Sequence, residues 1–267
     1  MDDIVAAAGL TEPEHSMFSA FIIDQAPEHL RRVMRKLTGP VRGLLDMKVR
    51  EIHINPSINN QGHAAFVKLH EATHQILPWQ QDLAYADDAS TLSPAVRALQ
   101  EQEANLGASN LLFQLEAFDD VSRQVKAGMA SVVALAEIVG ASIHATFRRY
   151  VSMNDGIAAG VVLDLSPCSR DPLGYERHEM VRSSKWEKEF GRSFWPKVLH
   201  AQPFSFVNAA EQAASSHSTQ RTDFVYPNLA NQPITLTAEI YSNRHRLLVL
   251  IWKPRREFLR RGFSVAP

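Results

Sequence analysis

The sequence predicts an α+β fold, and three observations predict it. The first part places apolar residues at helical spacing around one short alternating strand. The middle holds three short helical runs divided by glycines, and the last part is dominated by β-rich stretches with loop-like segments between them. Three regions follow from these shifts: 1–117, 118–153 and 154–267, the last expected to be mixed α/β.

In the first region, "SMFSAFIIDQ" and "PEHLRRVMRKL" have helical spacing, with Pro27 suited to the first turn of the second helix. "REIHINPS" alternates Ile52 and Ile54 with His53 and Asn55, which reads as a short strand closed by Pro56. "GHAAFVKLHEATHQIL" lines up Ala65, Leu69, Thr73 and Leu77 as a helix that Pro78 stops. After the loop "PWQQDLAYADDASTLS", Ser93 and Pro94 supply the N-cap and first turn of "PAVRALQEQEANLGASNLLFQLEA". In the middle region "DDVSRQVKAG" and "ASVVALAEIVG" each end at a glycine, and Ser142 caps "IHATFRRYV", an arrangement like a helix-turn-helix. In the last region "GIAAGVVLDLS", "PITLTAEIYS" and "HRLLVLIWKP" read as strands, the latter two joined as a hairpin through Ser242, Asn243 and Arg244. "SPCSRDPLGYER" and "AASSHSTQRTD" have the composition of loops.

Charge is balanced at 28 basic against 29 acidic residues, so no global field draws the chain to nucleic acid or to an anionic membrane. Arg123, Lys126, Arg148 and Arg149 make the middle region locally basic, yet Val132, Leu135, Ala136 and Val139 form only a core stripe; packing is favoured there over DNA binding. The tail "KPRREFLRRG" reads as solvated. Cys168, the only cysteine, leaves no intrachain disulfide and no cysteine-rich zinc framework, and the N-terminus lacks a basic, then apolar, leader pattern. A cytoplasmic protein is expected.

The chemistry concentrates in "FVKLHEATHQILPW", which contains H-E-x-x-H. His70 and His74, four apart, share one helix face and aim at one point, as a tetrahedral zinc site requires. Glu71 is rotated by about 100° from His70. It is placed to take a proton from a zinc-activated water rather than to ligate. Two histidines need a third ligand, and the next helix offers Glu101 and Glu103 in "QEQEANLGASNLLF". Glu101 shares its face with Asn105, Ala108 and Leu112, which is expected to be buried, and Glu103 points away toward solvent. Asn105 is expected to orient Glu101 or a nearby backbone group. His63, two turns before His70, and Tyr85, in the loop, are candidates for stabilising an oxyanion. Manganese accepts the same ligand set as zinc.

H-E-x-x-H, a loop, then E-x-E-A-N followed by small residues and "LL" resembles the ImmA/IrrE family of zinc metallopeptidases. The strand "IHIN" before the metal helix and the helical module after it are similar to the IrrE branch. The resemblance implies a zincin-like protease domain, a helix-turn-helix module and a GAF-like C-terminal domain that takes a small-molecule or other signal. It also implies cleavage of an XRE-type transcriptional repressor that switches on a stress response, with His70, His74 and Glu101 as zinc ligands and Glu71 as general base. Two departures from the family pattern, "LLFQ" for "LLMP" and Thr73 for a smaller residue, touch no ligand. The rival reading is a non-proteolytic regulator that binds DNA or a repressor and uses the metal structurally.

Overall fold

The computed structural model describes residues 2–37, 40–81, 93–114, 116–192, 195–216 and 218–254. Tyr85 and most of the basic tail lie outside them. The architecture is mixed α and β, and the chain divides into two compact units. The first contains 1–121 and 134–142, the second 122–133 and 143–267; the expected middle module contributes to both. No single helix among the described residues is long and apolar enough to cross a membrane.

The first unit opens with α1 (Asp2–Ala7), α2 (Ala20–Gln25) and α3 (Glu28–Leu37). Ser19 caps α2 by accepting from Ile22 N, so the first expected helix is shorter than its apolar spacing suggested. Next come β1 (Gly43–Asp46) and β2 (Glu51–Ile54), an antiparallel pair, then α4 (Gln61–Ile76) and α5 (Pro94–Phe113). The sequence reading found β2 and missed β1. Both faces of β2 are covered: His53 and Asn55 are buried with Ile52, since Met17 N donates to His53 Nδ1 and Asn55 Nδ2 donates to Val41 O.

α4 follows its pattern, with Ala65, Val67, Leu69, Ala72 and Thr73 buried and Asn60 capping it through the His63 N–H. Ser93 caps α5 by accepting from Val96 N, as expected, with Pro94 in the first turn. Gly107 of α5 lies so close to α4 that a Cβ there would stand 2.3 Å from Thr73 Cγ2.

α6 (Glu116–Gln124), α7 (Met129–Val139) and α8 (Ile143–Ser152) are the three expected short helices. Gly140, at φ +70°, ends α7 in the left-handed conformation that glycine adopts freely.

The second unit is built on one antiparallel sheet of six strands: β3 (Ala158–Leu163), β4 (Gly174–Arg182), β5 (Val198–His200), β6 (Gln220–Pro227), β7 (Pro233–Ser242) and β8 (Leu247–Trp252), in the order β5-β4-β3-β8-β7-β6. The β7–β8 hairpin closes at Ser242 opposite Leu247, so its connection, 243–246, runs two residues beyond the expected turn through Arg244. Two segments read as loops contain strands, β4 and β6. Among the described residues β6 pairs with β7 alone; it turns Arg221 and Val225 outward, and its half-exposed, polar make-up suits an edge. β4 carries charges because its outward side chains find ion-pair partners.

α9 (Ser184–Phe190) and α10 (Ala210–Ser216) complete the unit. Trp186 and Trp195 are buried with Phe190, Phe204, Phe206 and Phe224 against the sheet. Trp195 meets Phe204 at 4.4 Å and Tyr226 at 5.3 Å between ring centroids.

One charged cluster gives a pH prediction. Glu179 on β4 meets His144 Nε2 at 3.1 Å and Arg148 Nε at 2.7 Å, both on α8. The His144 hydrogen bond, assisted by the Arg148 charge, holds the Glu179 carboxyl below its ordinary value against the opposing effect of burial. A carboxyl depressed in the folded state stabilises above its unfolded pKa and loses that contribution as pH falls through the folded one. Glu179→Gln is therefore expected to lower the melting temperature at pH 7, with the gap to wild type closing as pH falls below about 4.3. Melting curves across that range check it; a gap that persists at pH 3 counts against the ion pair.

Candidate metal centre

The first unit brings the expected ligands together. His70 Nε2 lies 3.2 Å from His74 Nε2 and 3.2 Å from Glu101 Oε2, and His74 Nε2 is 3.9 Å from Glu101 Oε1. A tetrahedral ion with bonds of about 2.0–2.1 Å has ligand–ligand edges of about 3.3 Å. The two shorter separations match that edge, and the third, to the other oxygen of the Glu101 carboxylate, is longer. Among the described residues no other group of three metal-ligating side chains converges. Burial, with the neighbouring His74, holds His70 below its ordinary pKa despite Glu101 and Asn105, so at neutral pH its ring is in the neutral form a metal requires.

Glu101 departs from the expectation that it sits on a buried face: its side chain is 60% exposed. The buried stripe of α5 runs through Ala104, Ala108 and Leu112. Glu101 lies on the line of that stripe, about 20° round the helix from Ala108 and Leu112, at an exposed rim toward its N-terminal end. At that rim Glu101 could help the two histidines hold an ion without being closed off from solvent.

Asn105 is in place, donating from Nδ2 to the Glu101 backbone carbonyl at 2.8 Å. It lines, with His63, a cleft of about 550 Å³ that also contains the ligand trio and Glu71. Neither His63 nor Asn105 is shown to reach a reacting atom.

Glu71 faces the same cleft from one step round α4. Burial, and secondarily the charge of Glu101, pushes its carboxyl up to about 7. β1 runs beside it: a Cβ at Gly43 would stand 2.8 Å from Glu71 Oε1 and 2.6 Å from Val67 Cγ1, so only glycine lets the strand pass this close. Among the described residues β1 pairs with β2 alone, and Gly43, Leu44 and Leu45 line the cleft. Arg42 at the mouth supplies a cation there. The sequence reading missed both β1 and Arg42, and an Arg-Gly pair before two leucines carries no signal of its own.

It also missed what holds His74. Gln80, 2% exposed, places Oε1 2.6 Å from His74 Nδ1. Gln80 Nε2 donates to Glu103 Oε2 at 2.9 Å and to Gln100 O at 3.3 Å, and Trp79 Nε1 donates to the same Glu103 oxygen at 2.8 Å. Glu103, expected to be a plain solvated carboxylate, is thus engaged, and the bonds from Trp79 and Gln80 hold its pKa below the ordinary value.

No protein-family model matches the chain, and no curated protein matches it. Among solved structures it is similar to a Mycobacterium tuberculosis transcriptional regulator, with 11% identity and a TM-score of 0.47 over 94% of this chain and 87% of that one.

Proposed function

We propose that the chain is a zinc-dependent endopeptidase of the ImmA/IrrE type, in which the first unit is the zincin-like protease and the second a GAF-like regulatory domain. The observation that carries the reading is the convergence of His70, His74 and Glu101, with separations of 3.2, 3.2 and 3.9 Å, and the Glu71 carboxylate facing the same cleft. His70, His74 and Glu101 hold the ion, zinc or manganese. When bound, the ion supplies a Lewis acid that acidifies water and polarises a carbonyl. Glu71 accepts the water proton at its carboxylate and returns it to the leaving amine. The free edge of β1 pairs with an extended substrate segment, and Gly43 keeps that strand against Glu71 so that the scissile bond lies over the base. Arg42, at the cleft mouth, offers hydrogen bonds to a substrate carbonyl.

The substrate in this reading is an XRE-type repressor, whose cleavage relieves transcriptional repression in a stress response, in the cytoplasm where such a repressor acts. A signal that reaches the second unit governs cleavage.

Zinc titration of the intact chain against Glu101→Ala tests the ligand set. Outer-shell partners already cost about 10- to 100-fold in affinity when lost. Removal of a ligand is therefore expected to cost more than about 100-fold. Equal affinities in the two proteins remove Glu101 from the site, and no binding by either removes the metal reading.

A further inference from the structure

The bonds around Gln80 fix more than its own position. Gln80 Nε2 faces two groups that can only accept, the Glu103 carboxylate at 2.9 Å and the Gln100 carbonyl at 3.3 Å. That decides which end of the amide is nitrogen, since the flipped orientation would set an oxygen against two oxygens. The other end, Oε1, must then face His74 Nδ1 at 2.6 Å, and a carbonyl oxygen can only accept. The Nδ1 of His74 must therefore carry a proton, so in the neutral ring it is Nε2 that presents a lone pair toward His70 and Glu101. Trp79 adds a third layer by holding Glu103 from its far side.

We propose that Gln80 is a positioning residue of the metal site, which with Glu103 and Trp79 forms a relay that locks His74 in its Nδ1–H tautomer. The proposal rests on the metal reading for its purpose but not for its existence. The lock acts before any ion arrives. A neutral imidazole free to choose its tautomer must be caught in the right one, and a ring free to rotate must be caught in the right direction. The relay removes both choices for His74. It also ties the short helical segment 78–81 after α4 to α5, beside the three side chains that would hold an ion.

The test is ¹⁵N NMR of the His74 ring in the metal-free protein, alongside zinc titration. Wild type is expected to show a pyrrole-type Nδ1 and a pyridine-type Nε2. Gln80→Leu, which removes the acceptor and keeps the bulk, is expected to shift His74 toward the Nε2–H tautomer and lower zinc affinity by about 10- to 100-fold. The exchange variant Gln80→Glu with Glu103→Gln keeps an acceptor for His74 and a donor behind it, and is expected to restore the tautomer and recover affinity to within a few-fold. A purely structural role for Gln80 would not move the ring-nitrogen signature. An Nε2–H signature in wild type overturns the relay, as does a Gln80→Leu protein with unchanged tautomer and affinity. If Gln80→Leu fails to fold, loss of the Nδ1–H signature in the folded exchange variant overturns it equally. Wild type with the Nδ1–H tautomer but no zinc binding upholds the relay and overturns the metal reading, so the two fail separately.

Discussion

Glu71→Gln is expected to bind zinc as tightly as wild type, to within a few-fold, and to lose peptide cleavage by about 10²–10⁴. The two halves of that expectation come from different residues. The proposed ligand trio is His70, His74 and Glu101, and the Glu71 side chain is no part of that cluster. Glutamine keeps the length and hydrogen-bonding shape of glutamate, so the Val67–Gly43 contact that seats residue 71 survives. What glutamine lacks is a site that can take and return a proton at neutral pH. A loss confined to kcat, with KM near wild type, marks a group that acts in the transition state rather than in substrate binding. Cleavage of a purified repressor-type protein, followed by gel beside a zinc titration on the same preparation, reads both halves. Cleavage at wild-type rate in the glutamine variant removes Glu71 from the mechanism. Zinc lost together with cleavage would instead make Glu71 a ligand.

The parts of this site that sequence made visible are the ones set by local geometry. H-E-x-x-H on a continuous helix fixes His70 and His74 through helix periodicity alone, and Ser93-Pro94 marks the start of α5 because a cap is a local hydrogen bond. Glu101 was legible as the carboxylate that meets the two histidines but not as a rim residue. Spacing tells which residues share a face, and only packing tells where the edge of that face lies. β1, β4 and β6 escaped notice for a related reason: short or charged strands gain their order from partners such as His144 and Arg148, which lie far away in sequence. Gln80 escaped it most fully. Its role requires a side chain in the short helical segment after α4 to meet both a ring from α4 and a carboxylate 23 residues on. No period or motif encodes such a triangle.

Gly107→Ala is expected to destabilise the first unit by about 1–3 kcal/mol, against the direction that helix propensity alone would give. In an isolated helix the change would be favourable by about 0.8–1.0 kcal/mol. Here the added Cβ would stand 2.3 Å from Thr73 Cγ2 and 2.9 Å from Thr73 Oγ1. Thr73 has little freedom to yield: it is buried, and its Oγ1 donates to Leu69 O at 2.7 Å. β-Branched side chains in helices are also stiff at χ1. The helices must therefore part, and α5 moves away from α4 with Glu101 on it. The separations of 3.2 and 3.9 Å between Glu101 and the two histidines then lengthen, so zinc affinity is expected to fall in step with stability. Thr73, one of the two departures from the ImmA/IrrE pattern, is in this way matched by the glycine opposite it. A double-mutant cycle with Thr73→Ala separates the clash from any other cost. That change deletes the two nearest atoms and leaves Cβ at 3.2 Å, so Gly107→Ala should cost far less in its background. A coupling of about 1–3 kcal/mol in chemical denaturation is the expected result. Additive effects, or a Gly107→Ala protein more stable than wild type, would show that the helices do not approach this closely, and the geometry of the metal site would fall with that approach.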